Sequence, residues 1–264
     1  MQKKYVMLSF DLEEFDIPRE YGYNMTMEEQ VLLSVKGVKK ILQLLDEMNI
    51  KVTFFCTTNF ASIAPEIIQH IINANHEIAS HGCDHYCPKY EDIIKSKNIL
   101  EKMFPINVYG YRQPRMQTSN INNVHVEYMY DASLNPTIIP GRYFNFRKPR
   151  TIFQDNDLII IPSSTTPLFR IPLFWLSLHH FPLFFYKLLL KITLNRDCYF
   201  NTYFHPWEFV NLAKLQKIRL PYIIKHNTGD AMLLRLANII NFLKKEGVDF
   251  VTYRKMAMIY KNKL

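Results

Sequence analysis

The chain has 264 residues, 48% hydrophobic and 21% charged, which suits one ordered globular domain and excludes a flexible or low-complexity protein. A net charge of +8 admits anionic partners, but the sequence carries no RNA-binding signature and no helix-turn-helix, so nucleic acid is not an expected partner. No apolar run reaches the roughly eighteen residues of a membrane span.

The opening "MQKKYVMLSFDLEEFD" has too short an apolar stretch for a signal peptide, and acidic residues follow it at once. Cys56, Cys83, Cys87 and Cys198 form no C-x-x-C. Reduced thiols and a cytoplasmic location are the expectation.

Strand-like and helix-like segments then alternate. "YVMLSFD" (5–11) is β-rich, and 28–48 places Val31, Leu32, Val35, Val38, Leu42 and Leu45 at helical spacing. "IKVTFFCT" (50–57) reads as a strand. Residues 65–75 read as a helix, with Pro65 at its start and Asn75 where a left-handed cap would sit. "HEIAS", a helix near 90–104, "NVYGYR" (107–112), "YMYDASL" (128–134), "DLIIIPSS" (157–164) and "CYFNTYF" (198–204) follow. A helix at 230–246 precedes a last strand, "VDFVTY". The alternation argues for parallel strands in an α/β barrel or a doubly wound sheet, with no linker dividing the chain.

The segment 163–197 is different, because Pro167, Pro172 and Pro182 break any continuous helix among its many large apolar residues. A shorter helix is expected from about Leu183 to Leu194. Buried core, substrate wall, subunit interface and membrane contact all suit such a stretch.

Ionisable residues gather at the strand ends. Asp11 and Glu13 follow the first strand, His81 follows "EIAS", Arg112 ends "NVYGY", Asp131 interrupts "YMYDASL" and His205 follows "CYFNTYF". In a parallel barrel these ends share one face, which holds the active site. His81 and His85 form an H-x-x-x-H pair that could reach one ion from one side of a helical turn. Two His and a carboxylate are a usual ligand set for a divalent metal. A further carboxylate as base, an Arg to orient it and a His to protonate a leaving amine would together suit amide hydrolysis.

Five motifs in order resemble the polysaccharide deacetylase family, whose members share the NodB homology domain, a distorted (β/α) barrel. They are "SFDLEE", "SHGCDH", "YRQPR", "YDASLNP" and "FHPWEF". The resemblance implies one catalytic domain over 1–264 with an insert around 163–197. It implies Asp11 as base, His81 and His85 as metal ligands, Arg112 orienting Asp11, and His205 as general acid. Asp131 would support the site by pairing with Arg112 or His205. Pro114 would shape one side of the groove, Tyr111 would contact sugar, and Trp207 would line the pocket or serve structure. Zinc is the first expectation for the metal, with cobalt, iron and manganese also compatible.

One departure from the family pattern concerns the second of two adjacent Asp residues, which binds metal; Leu12 stands there. On a strand Asp11 and Glu13 share a face and Leu12 points away, so Glu13 is the expected third ligand, with Glu14 and Asp16 as alternatives. Cys83 and Cys87 are assigned to packing or solvent, and His179 and His180 to an interface or solvent. His70, His76, His125 and His226 stand outside any motif.

The expected reaction is metal-dependent removal of an N-acetyl or N-formyl group from an amino sugar in a surface polysaccharide or its nucleotide- or lipid-linked precursor. The alternatives are a metal-independent cyclic amidohydrolase of allantoinase type and a non-catalytic carbohydrate-binding protein. A lipid-linked substrate would bring 163–197 to the inner membrane as a peripheral contact.

Overall fold

The computed structural model describes residues 3–116, 127–215 and 218–262; His125 lies outside them. Among the described residues, nine strands form one sheet that curls into a distorted barrel. These are β1 (Tyr5–Leu12), β2 (Thr53–Cys56), β3 (Glu77–Ser80), β4 (Gly110–Tyr111), β5 (Tyr130–Asp131), β8 (Phe153–Asp155), β9 (Leu158–Ile160), β10 (Tyr199–Phe204) and β11 (Asp249–Phe250). Two further strands, β6 (Ile138–Ile139) and β7 (Tyr143–Phe144), make a separate antiparallel hairpin. The order is β10-β1-β2-β3-β4-β5-β9-β8, parallel except for the β8–β9 hairpin. One edge of β1 runs along β10; its other edge is shared, Tyr5 and Val6 pairing with β11 and Ser9–Leu12 with β2.

The strands alternate as the pleat requires. Val6, Leu8, Phe10 and Leu12 face outward into the large core formed with the helices. Met7 faces the barrel interior with Phe55, Ala79, Tyr130, Ile159 and Tyr253. Leu12 is fully buried in the outer core, and its hydrocarbon side chain offers no ligand atom.

Helix α1 (Ile17–Glu20) is a single turn, and α2 (Met27–Glu47) starts on a capping box between Thr26 and Glu29, worth about 1 kcal/mol. Gly37 sits where α2 meets the turn after β10: a Cβ there would lie 1.8 Å from the carbonyl oxygen of Pro206. Glycine costs about 1 kcal/mol in a helix against alanine, and here it permits the close approach. Helices α3 (Thr58–Ile63), α4 (Pro65–Asn73) and α5 (Asp92–Met103) cover the first strands, and Asn75 takes the left-handed conformation expected of it, with φ 58°.

The proline-broken segment forms a short helix α6 (Trp175–His180) and then α7 (Leu183–Asp197), three residues longer than its predicted end. The turn α8 (Tyr222–Lys225), α9 (Asp230–Lys245) and α10 (Tyr253–Lys261) complete the chain. The last strand is only two residues long because Thr252 caps α10 through Lys255 N.

No ladder joins β9 to β10. The Asn201 side chain closes that seam, accepting from Ser164 N at 3.0 Å and donating to Pro162 O at 2.8 Å, while Asn201 N donates to Ser164 Oγ at 2.9 Å. All four cysteines are free, and no helix among the described residues is long and apolar enough to cross a membrane.

Candidate active site

The C-terminal ends of β1, β3 and β10 converge on a cavity of about 100 Å³. Asp11, Glu13, Asp16, His81, His85, His205 and Trp207 line it, with Arg115, Arg142, Trp175 and Tyr203.

Two groups of donor atoms lie close together: Glu13, His81 and His85 within 4.8 Å of one another, and Asp11, Glu13 and His205 likewise. Glu13 belongs to both. Its Oε2 stands 3.0 Å from His85 Nε2 and 3.3 Å from His81 Nε2, and its Oε1 is 3.8 Å from His205 Nε2 and accepts from Trp207 Nε1 at 3.3 Å. Burial acts to raise the Glu13 carboxyl, but the imidazoles of His85, His205 and His81 overcome it and hold it well below the usual range.

The His pair is not on a helix. Residues 81–88 form bends, and Gly82, at φ 76°, turns the chain so that the two rings lie 5.6 Å apart. Each ring is fixed from behind. His81 Nδ1 is 2.8 Å from the Arg112 carbonyl, and His85 Nδ1 is 2.9 Å from Asp16 Oδ2. A carbonyl only accepts, so His81 Nδ1 carries a proton and Nε2 faces Glu13. Two imidazole Nε2 atoms and a carboxylate oxygen thus meet at one point, an arrangement that needs a cation or extra protons between them. Outer partners of this kind are what metal-bound His residues use. The donor set fits a divalent ion of the zinc type. Burial pushes His85 down, yet Glu13 and Asp16 hold it well above its ordinary value.

Of the alternative third ligands, Glu14 accepts from Thr57 Oγ1 at 3.1 Å, and Asp16 stands behind His85 while also accepting from Arg115 Nη2 at 2.8 Å. Neither joins the convergent groups; Glu13 does.

Arg112 lies fully buried inside the barrel. It donates to Asp11 Oδ1 at 2.5 Å, Ser9 Oγ at 3.0 Å and Tyr253 OH at 3.1 Å, with its guanidinium 3.8 Å from the Phe55 ring. These contacts fix the carboxylate of Asp11. On the opposite wall Trp207 stacks on His205 at 5.0 Å between centroids, and Trp175 meets it edge-on at 5.4 Å.

The carboxylate behind His205 is Glu208. Its Oε1 takes both His205 N, at 2.6 Å, and His205 Nδ1, at 2.8 Å. Its Oε2 is 2.8 Å from His179 Nε2, and His179 Nδ1 is 2.7 Å from the His226 carbonyl. That carbonyl only accepts, so His179 donates from Nδ1, and the Nε2–Oε2 contact holds a proton as well. His179 is therefore a buried member of a chain His205–Glu208–His179, not the interfacial or solvated residue expected. Burial pushes His205 down, but Glu13 and Glu208 outweigh it and raise its pKa.

Three expected residues are placed elsewhere. Tyr130 and Ala132 point into the barrel, so the pleat turns Asp131 to the other face, where it accepts from Ser133 N and Oγ. It pairs with the site's edge through Ser133, whose Oγ accepts from Gln113 N at 2.8 Å. Tyr111, in register with Asp131, also faces outward; it is 1% exposed and donates to Gln113 Oε1 at 2.5 Å, so it does not line the cavity. Pro114 is buried against Gly82, and the residues after it, Arg115 and Met116, line the cavity instead. Both of these adopt left-handed backbone, φ 58° and 49°, at a cost of about 1–2 kcal/mol each.

Comparison with known proteins bears on the fold and the family resemblance. Residues 1–122 match the model of the polysaccharide deacetylase family, the stretch that holds Asp11, Glu13, His81, His85 and Arg112. Over 99% of the chain and 92% of the other, the fold is similar to a Mycobacterium smegmatis protein classed by inference as a polysaccharide deacetylase, with TM-score 0.65 and 19% identity. It is also similar to the Puue allantoinase, with TM-score 0.64 and 15% identity over 96% of this chain and 89% of that one. A CE4 family pseudoenzyme from Bacillus anthracis matches with TM-score 0.55 and 12% identity over 97% and 66%. No curated protein matches the sequence. The resemblance carried by the motifs thus stands on the family match to residues 1–122, and the fold is the distorted barrel of NodB-type deacetylases.

Proposed function

We propose that the chain is a metal-dependent hydrolase that removes an N-acyl group, acetyl or formyl, from an amino sugar. The observation that carries this reading is the convergence of Asp11 and His205 on Glu13, with one donor atom of each within 4.8 Å of the others. A base and an acid so placed serve the two ends of an amide hydrolysis. Asp11, fixed by Arg112, accepts a proton from the attacking water. His205, fixed at Nδ1 by Glu208, gives its Nε2 proton to the departing nitrogen. The products are a free amine and a carboxylic acid.

Glu13, His81 and His85 are the residues that would hold a divalent cation, zinc first. Bound there, it supplies Lewis-acid polarisation of the acyl oxygen and of water. Trp175, partly exposed, offers an apolar surface to a sugar, while Trp207, buried and stacked on His205, holds that ring in place; Arg115 and Arg142 stand at the same cavity, paired with Asp16 and Glu20.

The test compares the wild-type protein with a His81→Ala/His85→Ala variant by elemental analysis and by acetate and formate release from acylated amino sugars. Roughly one divalent ion per chain and measurable release, both lost in the variant, are expected. Release unaffected by chelators would instead favour a metal-independent cyclic amidohydrolase, the second reading, which the similarity to an allantoinase fold keeps in view. Metal binding without release from any acylated sugar would leave a carbohydrate-binding role.

A further inference from the structure

Residues 132–196 hold eight Lys and Arg against two Asp, and so account for +6 of the chain's net charge of +8. The same span contains the four most exposed large apolar side chains among the described residues: Phe144 at 86%, Leu168 and Phe184 at 75% and Phe169 at 74%. An exposed apolar group is ordinary when isolated, but a contiguous patch is not.

Three of those four are drawn into one surface. Phe144 pairs across the β6–β7 hairpin with Ile138, which is also exposed. The turn carrying Leu168 and Phe169 is stitched at its neck by Thr166 N to Ile171 O at 3.0 Å and Ile171 N to Thr166 Oγ1 at 3.0 Å. It is bound to the hairpin by Thr137 Oγ1 to Arg170 O at 2.8 Å and by Arg170 Nη1 to Lys148 O at 2.7 Å. The Arg170 guanidinium also stands 5.1 Å over the ring of Phe146, another exposed apolar residue. Exposed Arg142, Arg147 and Lys148 interleave with these side chains, and no acidic residue occurs from 132 to 154. Arg142 also lines the catalytic cavity, so the patch borders its mouth.

We infer that this surface docks on an anionic phospholipid bilayer, with Phe144, Leu168 and Phe169 entering the interface and Arg142, Arg147 and Lys148 facing the headgroups. Exposed apolar tips beside cations, on a stretch that itself carries no acidic residue, are what such an interface selects, although Arg142 also stands 3.7 Å from Glu20. A protein partner of ordinary composition would be met by mixed charge. The contact differs from the one expected from sequence, since the hairpin at 138–146 carries it together with the turn at 168–169. It brings the cavity mouth to the membrane plane, where a lipid-carried substrate would be presented.

The experiment is co-sedimentation of the full chain with vesicles of phosphatidylglycerol and phosphatidylcholine in equal parts, and with pure phosphatidylcholine. It reads binding without turnover, so its failure is separate from failure of the assigned reaction. Wild type is expected to sediment with the anionic vesicles and to stay largely in solution with the neutral ones. Leu168→Ser/Phe169→Ser and Arg147→Glu/Lys148→Glu should each weaken binding about tenfold or more, with unchanged circular dichroism and Tm, because these side chains are exposed. Wild type that ignores anionic vesicles, that binds both compositions equally, or whose binding survives both double substitutions overturns the proposal.

Discussion

Glu208 holds His205 twice with one oxygen, at the main-chain N–H and at ring Nδ1, and reaches His179 with the other. The acid of the proposed reaction is thus fixed in tautomer and direction by a residue three positions on in the chain. Glu208→Gln should keep the shape and lose the charge. A fall of about 10–100-fold in kcat with little change in KM is expected, the usual effect of removing an outer partner. Nitrogen-15 NMR of the His205 ring checks the cause: the Nδ1–H tautomer should dominate in the wild type and mix in the variant. His179→Gln should shift the same resonances more weakly.

Protons and metal compete for His85. In the metal-free protein its raised pKa means that the protonated ring stabilises the fold below the ordinary value of 6.5, and that this stability is lost as pH rises through the folded value. Metal-free protein should therefore lose Tm as the solution turns alkaline, and zinc should restore it. Conversely, apparent zinc affinity should fall about tenfold per pH unit on acidification, as a site that must shed one proton requires. Chelator competition across pH measures it.

Glu14 is buried and its carboxyl is pushed up from 4.5 to about 7 by burial, against weaker lowering hydrogen bonds. A group raised in the folded state favours folding below its unfolded pKa and loses that contribution as pH rises through the folded one. The wild type should lose on the order of 2–3 kcal/mol between these two values from this residue alone. Glu14→Gln should flatten that slope and be the more stable protein above neutrality, as read from urea unfolding at several pH values.

Gly37→Ala places a methyl group 1.8 Å from the Pro206 carbonyl oxygen. The backbone must give way, at a cost of about 1–3 kcal/mol in stability. Because Pro206 follows His205, activity should fall further than the loss of folded protein explains. Pairing a thermal melt with the specific activity of the folded fraction separates the two effects.

Much of this site could be read from the strand ends, because strand-terminal polar residues in a parallel barrel have one place to go. The period of two assigned Glu13 over Leu12, and the structure puts both where that rule says. The same rule, applied to "YGYR" and "YDAS", would have turned Tyr111 and Asp131 outward; motif resemblance drew them inward instead. Glu208 stands in the motif "HPWEF", but its position behind His205 depends on the tight turn Pro206–Phe209. His179, Trp175 and Arg142 reach the site only through the fold of the proline-broken segment and the hairpin. No local pattern in the chain marks them.

The Asn201 side chain stands where main-chain bonds would otherwise close the sheet, and Ser164 and Asn201 mark the two points at which the chain departs from and rejoins the barrel. The stretch 165–197 between them, carrying the aromatic wall at Trp175 and the exposed tip at Leu168, contributes no strand to the main sheet and packs on the core through Tyr186, Leu190 and Leu194. Such an attachment lets that region change in length and character while the strands bearing Asp11, His81 and Arg112 keep their register. It separates what the protein does to a bond from what it chooses to hold. A change of substrate on this scaffold would be written between 164 and 201, with His179 kept in its contact with Glu208.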